Sequence, residues 1–141
     1  MNVYILDTNI LTLIFKYPKQ YPHLLERIKQ TPYEHIWISV ISIDEAIRGA
    51  YRLMHQEHKP FTCFKLLTWI VTGYGQYQIL TYDENDGKIF DGFSPAINRG
   101  VQQPDRKIAA TAIRHNYAVI TKKLQHFQLT GCRCEDWTVI S

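Results

Sequence analysis

Short apolar runs alternate with longer stretches of helical periodicity along this chain. Val3 to Leu6 is apolar and reads as a buried strand. From Ile10 to Phe15 the apolar positions fall at helical spacing. Pro18 and Pro22 interrupt them, and Leu24, Leu25 and Ile28 predict a second amphipathic helix ending near Gln30. His35 to Val40 (HIWISV) is the next predicted strand. Ser42 then reads as an N-cap, with Glu45 three residues on as the other half of a capping box. Ile43, Ile47, Ala50 and Met54 supply the inward face of that helix.

Beyond Lys59-Pro60 an apolar helix is predicted from Phe61 to Val71, closed by Gly73 and Gly75, followed by a short strand from Tyr77 to Leu80. Tyr82 to Phe93 has helical character weakened by Gly87 and Gly92, and Pro95 to Gln103 reads as loop. Pro104 and Asp105 open a helix carrying Ile108, Ala109, Ala112 and Ile113 and ending near Asn116. Tyr117 to Thr121 (YAVIT) is a strand, and Thr138 to Ile140 is a candidate for the last one. Strands that are apolar rather than alternating, separated by helices, predict an α/β fold with a parallel sheet covered on both faces. No repeat, low-complexity tract or linker divides the chain, so a single domain over 1–141 is expected.

Composition narrows the classes without choosing among them. Hydrophobic residues at 45% with 21% charged describe an ordered globular chain rather than a disordered one. The net charge of +3 is compatible with an anionic partner such as nucleic acid but does not require one. Cys63, Cys132 and Cys134 are odd in number. The C-x-C of the last two lacks a second ligand pair, so reduced thiols are expected rather than disulfides or zinc. His55 and His58 likewise lack a third ligand. With no signal-peptide pattern and no apolar run of the ~18 residues a membrane span needs, a cytoplasmic protein is expected. No Gly-rich phosphate loop and no Ser/His/Asp or Cys/His set is traceable, which argues against a P-loop or Rossmann cofactor enzyme.

Three acids then stand out by position. Asp7 ends the first strand, Glu45 lies early in the helix after the second, and Asp105 begins the helix leading into YAVIT. In a parallel sheet the carboxyl ends of the strands and the starts of the crossover helices share one edge, where ligands bind. Each acid alone has a plainer reading: a turn or helix cap for Asp7, half a capping box for Glu45, a favourable helix-dipole charge for Asp105. Taken together, clustered carboxylates repel one another and call for a cation or a shared proton. Oxygen-only ligands suit Mg²⁺ or Mn²⁺, which activate water and neutralise charge on a phosphoryl group.

At these residues the chain resembles the PIN domain, in particular the small VapC-type toxin ribonucleases. The segments are ILDTN, SIDEAIRGA, PDRKIAATAIRHNYAVIT and GCRCEDW, in the family's order over essentially the whole length. The strand–Asp–Thr–Asn opening matches Asp7, Thr8 and Asn9, and Glu-x-x-x-Gly matches Glu45 and Gly49. Asp followed by Ile-Ala-Ala-Thr-Ala matches Asp105 and residues 108–112, and Glu-Asp-Trp matches Glu135, Asp136 and Trp137. The resemblance implies a three-layer α/β/α sandwich and a Mg²⁺- or Mn²⁺-dependent endoribonuclease cutting RNA. Asp7, Glu45 and Asp105 would be its catalytic and metal-binding acids, with Thr8, Asn9 and Thr121 as supporting polar groups. It also implies a homodimer and a small antitoxin protein that inserts a segment into the active-site groove.

The chain departs from the family pattern after YAVIT. Where the family commonly carries a fourth acid or amide, and then an Asp, this chain has Lys123 and His126. Two readings stay open: an active ribonuclease, or a PIN-like module with weakened turnover that holds RNA or an antitoxin-like partner. Lys122, Lys123 and Arg106 are candidate contacts to an RNA backbone, although a solvated basic face explains any one of them as well. Arg48 is expected at an exterior helix position, and the aromatics Tyr74, Tyr77 and Tyr82 in the core or a dimer contact.

Overall fold

The computed structural model describes residues 2–140. Strands β1 (Tyr4–Leu6), β2 (Ile36–Ser39), β3 (Gln78–Leu80), β4 (Ala118–Ile120) and β5 (Arg133–Glu135) form one sheet in the order β3-β2-β1-β4-β5. Every neighbouring pair is parallel, as apolar runs separated by helices predict. Among the described residues eight α-helices surround it: α1 (Thr8–Lys16), α2 (Pro22–Gln30), α3 (Val40–His55), α4 (Pro60–Trp69), α5 (Glu84–Asp91), α6 (Pro95–Gly100), α7 (Gln103–His115) and α8 (Leu124–Leu129).

Because strand side chains alternate between faces, adjacent residues of β1 feed two separate cores. Leu6 joins Ile38 and Ile120 beneath Ile10, Leu11, Leu24 and Cys63 of α1, α2 and α4. Ile5 joins Val119 on the opposite face, with Ile108, Ala109 and Ala112 of α7 and Phe127 of α8. The result is the expected three-layer α/β/α sandwich. Trp137 seals the first core: its buried ring meets Tyr4 edge-on at 4.8 Å and lies 4.4 Å from the Arg27 guanidinium.

Several boundaries differ from the sequence expectation. Helix α3 starts directly after β2, and its N-cap is Ser39, whose hydroxyl accepts from the Ile41 N–H at 3.0 Å. Ser42 therefore lies within the helix and Glu45 in its second turn, so they form no capping box. Helix α4 does not stop at Gly73 but widens into a π-helical turn, Ile70–Tyr74. A side chain at Gly73 would run into the Phe15 ring, which explains a glycine inside a helical segment. The stretch read as loop holds α6, started by Ser94 accepting from Ile97 N–H at 3.3 Å and by Pro95 at its first position. The last strand is Arg133–Glu135, paired with β4, not Thr138 to Ile140. There Thr138 is held instead by Asp136 and His23, and Val139 and Ile140 are exposed. Helix α8 was not predicted by the periodicity, being a single short element with one buried anchor, Phe127.

Candidate active site

The parallel register builds the site. Leu6 pairs with Ile120, so the next residues, Asp7 and Thr121, leave adjacent strands side by side. The Asp7 N–H donates to the Ile120 carbonyl at 3.0 Å, and the Thr121 hydroxyl donates to Asp7 Oδ2 at 2.9 Å. Asp7 is fully buried, and among the described residues its other oxygen, Oδ1, has no hydrogen-bond partner. Such an atom costs about 1–3 kcal/mol unless something else satisfies it.

Glu45 and Asp105 arrive at the same edge on helices. Thr8, the first residue of α1, donates its hydroxyl to Glu45 Oε1 at 2.7 Å. That hydroxyl has one proton, so its 2.7 Å contact with Ser42 Oγ has Ser42 as the donor. Ser42 and Thr8 thus form a relay that sets the Glu45 carboxylate, a role that sequence reasoning missed for Ser42. Asp105 sits in the first turn of α7 and is 4% exposed. Lys123 Nζ donates to its Oδ2 at 2.8 Å, while the Lys123 N–H donates to Thr121 Oγ1 at 2.9 Å.

The electrostatics follow from this crowding. Burial pushes the Asp7 carboxyl from 3.8 up to about 6; Asp105 adds to the rise, while Lys123 and the Thr121 hydrogen bond oppose it. Burial raises Glu45 as well, against the Thr8 hydrogen bond and with a contribution from Asp105. For Lys123, burial disfavours the ammonium, but the Asp105 hydrogen bond and the charges of Asp7, Asp105 and Glu45 outweigh it. Its proton is held more tightly than in an ordinary lysine.

Asp7 and Glu45 both feel the charge of Asp105 at this edge, yet among the described residues no three His, Cys, Asp or Glu side chains close into a metal cage. The residues still suit one hard divalent cation. The donors are oxygens only, and one buried carboxylate oxygen lacks a partner. Mg²⁺ keeps several waters and takes only one or two carboxylates from a protein. The three acids do not suit a fully protein-ligated ion.

The remaining candidates are distributed around this centre. Asn9 is exposed on α1. Lys122 donates to the Tyr21 hydroxyl at 3.1 Å and lies over that ring. Arg106 donates from one terminal guanidinium nitrogen, Nη1, to the carbonyls of Asn98 and Val101, at 2.8 and 2.7 Å. Arg48 pairs with Asp44 on the exterior of α3, at 2.9 Å, as an outside position predicts. Tyr74 is buried against Phe15. The three cysteines are free thiols. Beside Glu45 a groove of about 390 Å³ runs between α1, α3 and α4, lined by Thr8, Phe15, Lys16, Arg52 and Trp69 among others. No helix among the described residues is long and apolar enough to cross a membrane.

The five-stranded parallel sheet and its similarity to solved structures over nearly the whole chain show the class: the fold is that of a PIN domain of the VapC type. The chain is similar to the DNA-bound VapBC structure from Salmonella typhimurium, at 26% identity and a TM-score of 0.80 over 97% of this chain and 99% of that one. VapBC-1 from nontypeable Haemophilus influenzae is similar at 22% identity and a TM-score of 0.78, over 97% and 99%. FitAB bound to an IR36 DNA fragment matches at 20% identity and a TM-score of 0.75, over 99% and 98%. No protein-family model and no curated protein matches the sequence.

Proposed function

We propose that this protein is a divalent-metal-dependent endoribonuclease, the toxin of a toxin–antitoxin pair. The observation that carries the proposal is the buried Asp7, with one oxygen unpartnered, at an edge it shares with Glu45 and Asp105. Bound there, Mg²⁺ or Mn²⁺ would supply a Lewis acid that lowers the pKa of water and neutralises charge at the scissile phosphate. The chain's own residues do the rest. Asp7 and Asp105 offer carboxylate oxygens to the ion. Glu45, held by Thr8 and Ser42, is placed to accept a proton from attacking water. Thr121 fixes the Asp7 rotamer, and Lys122 lies at the rim within reach of an RNA backbone.

The complexes formed by the similar structures support an antitoxin partner, for which the groove beside Glu45 is the proposed receiving surface, and a homodimer is part of the same proposal. The test is RNA cleavage with added Mg²⁺ or Mn²⁺ by the wild-type chain and by Asp7→Asn. Metal-dependent cutting lost in the variant supports the reading, and equal cutting by both rejects it.

One observation favours a second reading, a module that binds RNA or a protein partner with little turnover: Lys123 already engages an oxygen of Asp105. In that case the wild-type chain binds RNA without cutting it, and Lys123→Asp restores metal-dependent cleavage.

A further inference from the structure

We propose that Lys123 is a built-in cation of the acidic site: its ammonium takes the place of a second divalent ion, so that the site accepts one ion, in competition with Lys123 for Asp105. The inference rests on the reading of Asp7 and Asp105 as metal-binding acids with Glu45 beside them, and goes beyond it by assigning the site's stoichiometry and affinity to one side chain.

Three features of the geometry carry it. The Lys123 ammonium is 2.8 Å from Asp105 Oδ2, an ion pair in which the aspartate is 5% exposed and the lysine 27%. Its position is fixed at both ends, because its backbone N–H is bonded to the same Thr121 hydroxyl that holds Asp7. Lys123 is thus tied to Asp105 directly and to Asp7 through one threonine, unlike the exposed Lys122 beside it. And while one oxygen of Asp105 is taken, Asp7 Oδ1 remains unpartnered and buried. The ammonium therefore satisfies one side of the acidic cluster and leaves the other open.

Charge counting gives the consequence. Ionised, Asp7, Glu45 and Asp105 carry three negative charges. The ammonium cancels one and leaves two, which a single divalent ion neutralises. Without the lysine, three charges and an incoming phosphate would leave room for two ions. A tethered ammonium also resists chelators and cannot be diluted away, so the empty site is not left with three unbalanced carboxylates, two of them buried. The cost is weaker binding, because an arriving divalent ion meets a positive charge that is already in place.

The experiment is calorimetric titration of the full chain with MnCl₂ alone, in the absence of RNA. The wild type is expected to bind one Mn²⁺ per chain. Lys123→Met should bind at least about tenfold more tightly, Lys123→Asp should bind two ions, and Lys123→Arg, which keeps the charge, should track the wild type. Two ions on the wild type, or equal affinity in wild type and Lys123→Met, would overturn the proposal. If removing the lysine prevents folding, the wild-type stoichiometry and the Lys123→Arg titration decide it alone. RNA cleavage is scored separately. Metal- and Asp7-dependent cutting with unchanged Mn²⁺ affinity in Lys123→Met sinks this inference and leaves the nuclease reading standing. Tighter Mn²⁺ binding in Lys123→Met with no cutting by any variant does the reverse.

Discussion

Thr121 and Asp7, 114 residues apart, leave neighbouring parallel strands in register, and the threonine hydroxyl donates to Asp7 Oδ2 at 2.9 Å. The same hydroxyl accepts the Lys123 N–H. Thr121→Val keeps the shape of the side chain and removes both bonds. It is expected to destabilise the protein by about 1–3 kcal/mol, since it leaves buried polar groups unpaired. Urea unfolding measures this, and Thr121→Ser should recover most of the loss. A valine variant as stable as wild type would show that the contact is idle.

The Asp7 carboxyl is raised from 3.8 to about 6 by burial. The folded state therefore holds its proton more tightly than the unfolded chain does, and stability is lost as pH rises between about 4 and 6. The difference of 2.2 (6 minus 3.8) corresponds to roughly 3 kcal/mol. Metal-free wild type is expected to lose stability relative to Asp7→Asn across that interval and to run parallel to it above pH 7. Thermal melts in a pH series provide the comparison. Divalent-ion affinity should rise over the same interval, because the ion must displace that proton.

Thr8 tests the function without touching the three acids. Thr8→Val removes the hydroxyl that donates to Glu45 Oε1 at 2.7 Å and leaves Ser42 without its acceptor. If Glu45 takes a proton from attacking water, kcat on RNA should fall about tenfold or more with KM little changed, the mark of an interaction that matters in the transition state. Thr8→Ser should restore the rate. A loss confined to KM would point instead to substrate binding.

Gly73 probes how closely α1 approaches the π-helical turn. Any side chain there meets the Phe15 ring, so Gly73→Ala is expected to cost about 1–3 kcal/mol by overpacking. Combining it with Phe15→Leu should recover part of that cost, a coupling that a double-mutant cycle reads directly. Additive losses would place the strain elsewhere.

Local pattern was enough to predict most of the architecture. Apolar strands between amphipathic helices predicted a parallel sheet, and the parallel sheet predicted that Asp7, Glu45 and Asp105 would share an edge. Both expectations hold, because strand direction and helix crossover are set by short-range periodicity and by the rule that connections return across the sheet. The errors fell where periodicity is weak. Helices α6 and α8 are six residues each, too short to repeat a pattern. Ser39 and Ser42 are equally good caps by type, and only the end of β2 chooses between them.

The chain's order of residues determined which acids stand at the edge; tertiary structure decided what each one meets there. Asp105 pairs with Lys123 across 18 residues, Thr8 with Glu45 across 37, and Asp7 with Thr121 across 114. No local spacing encodes such contacts, since they exist only once separate elements are packed side by side. Lys123, which the sequence marks only as a departure from the family's acid or amide, lies in the folded protein against an almost fully buried aspartate. The reason is electrostatic: buried carboxylates leave water and take the nearest cation that the fold can deliver.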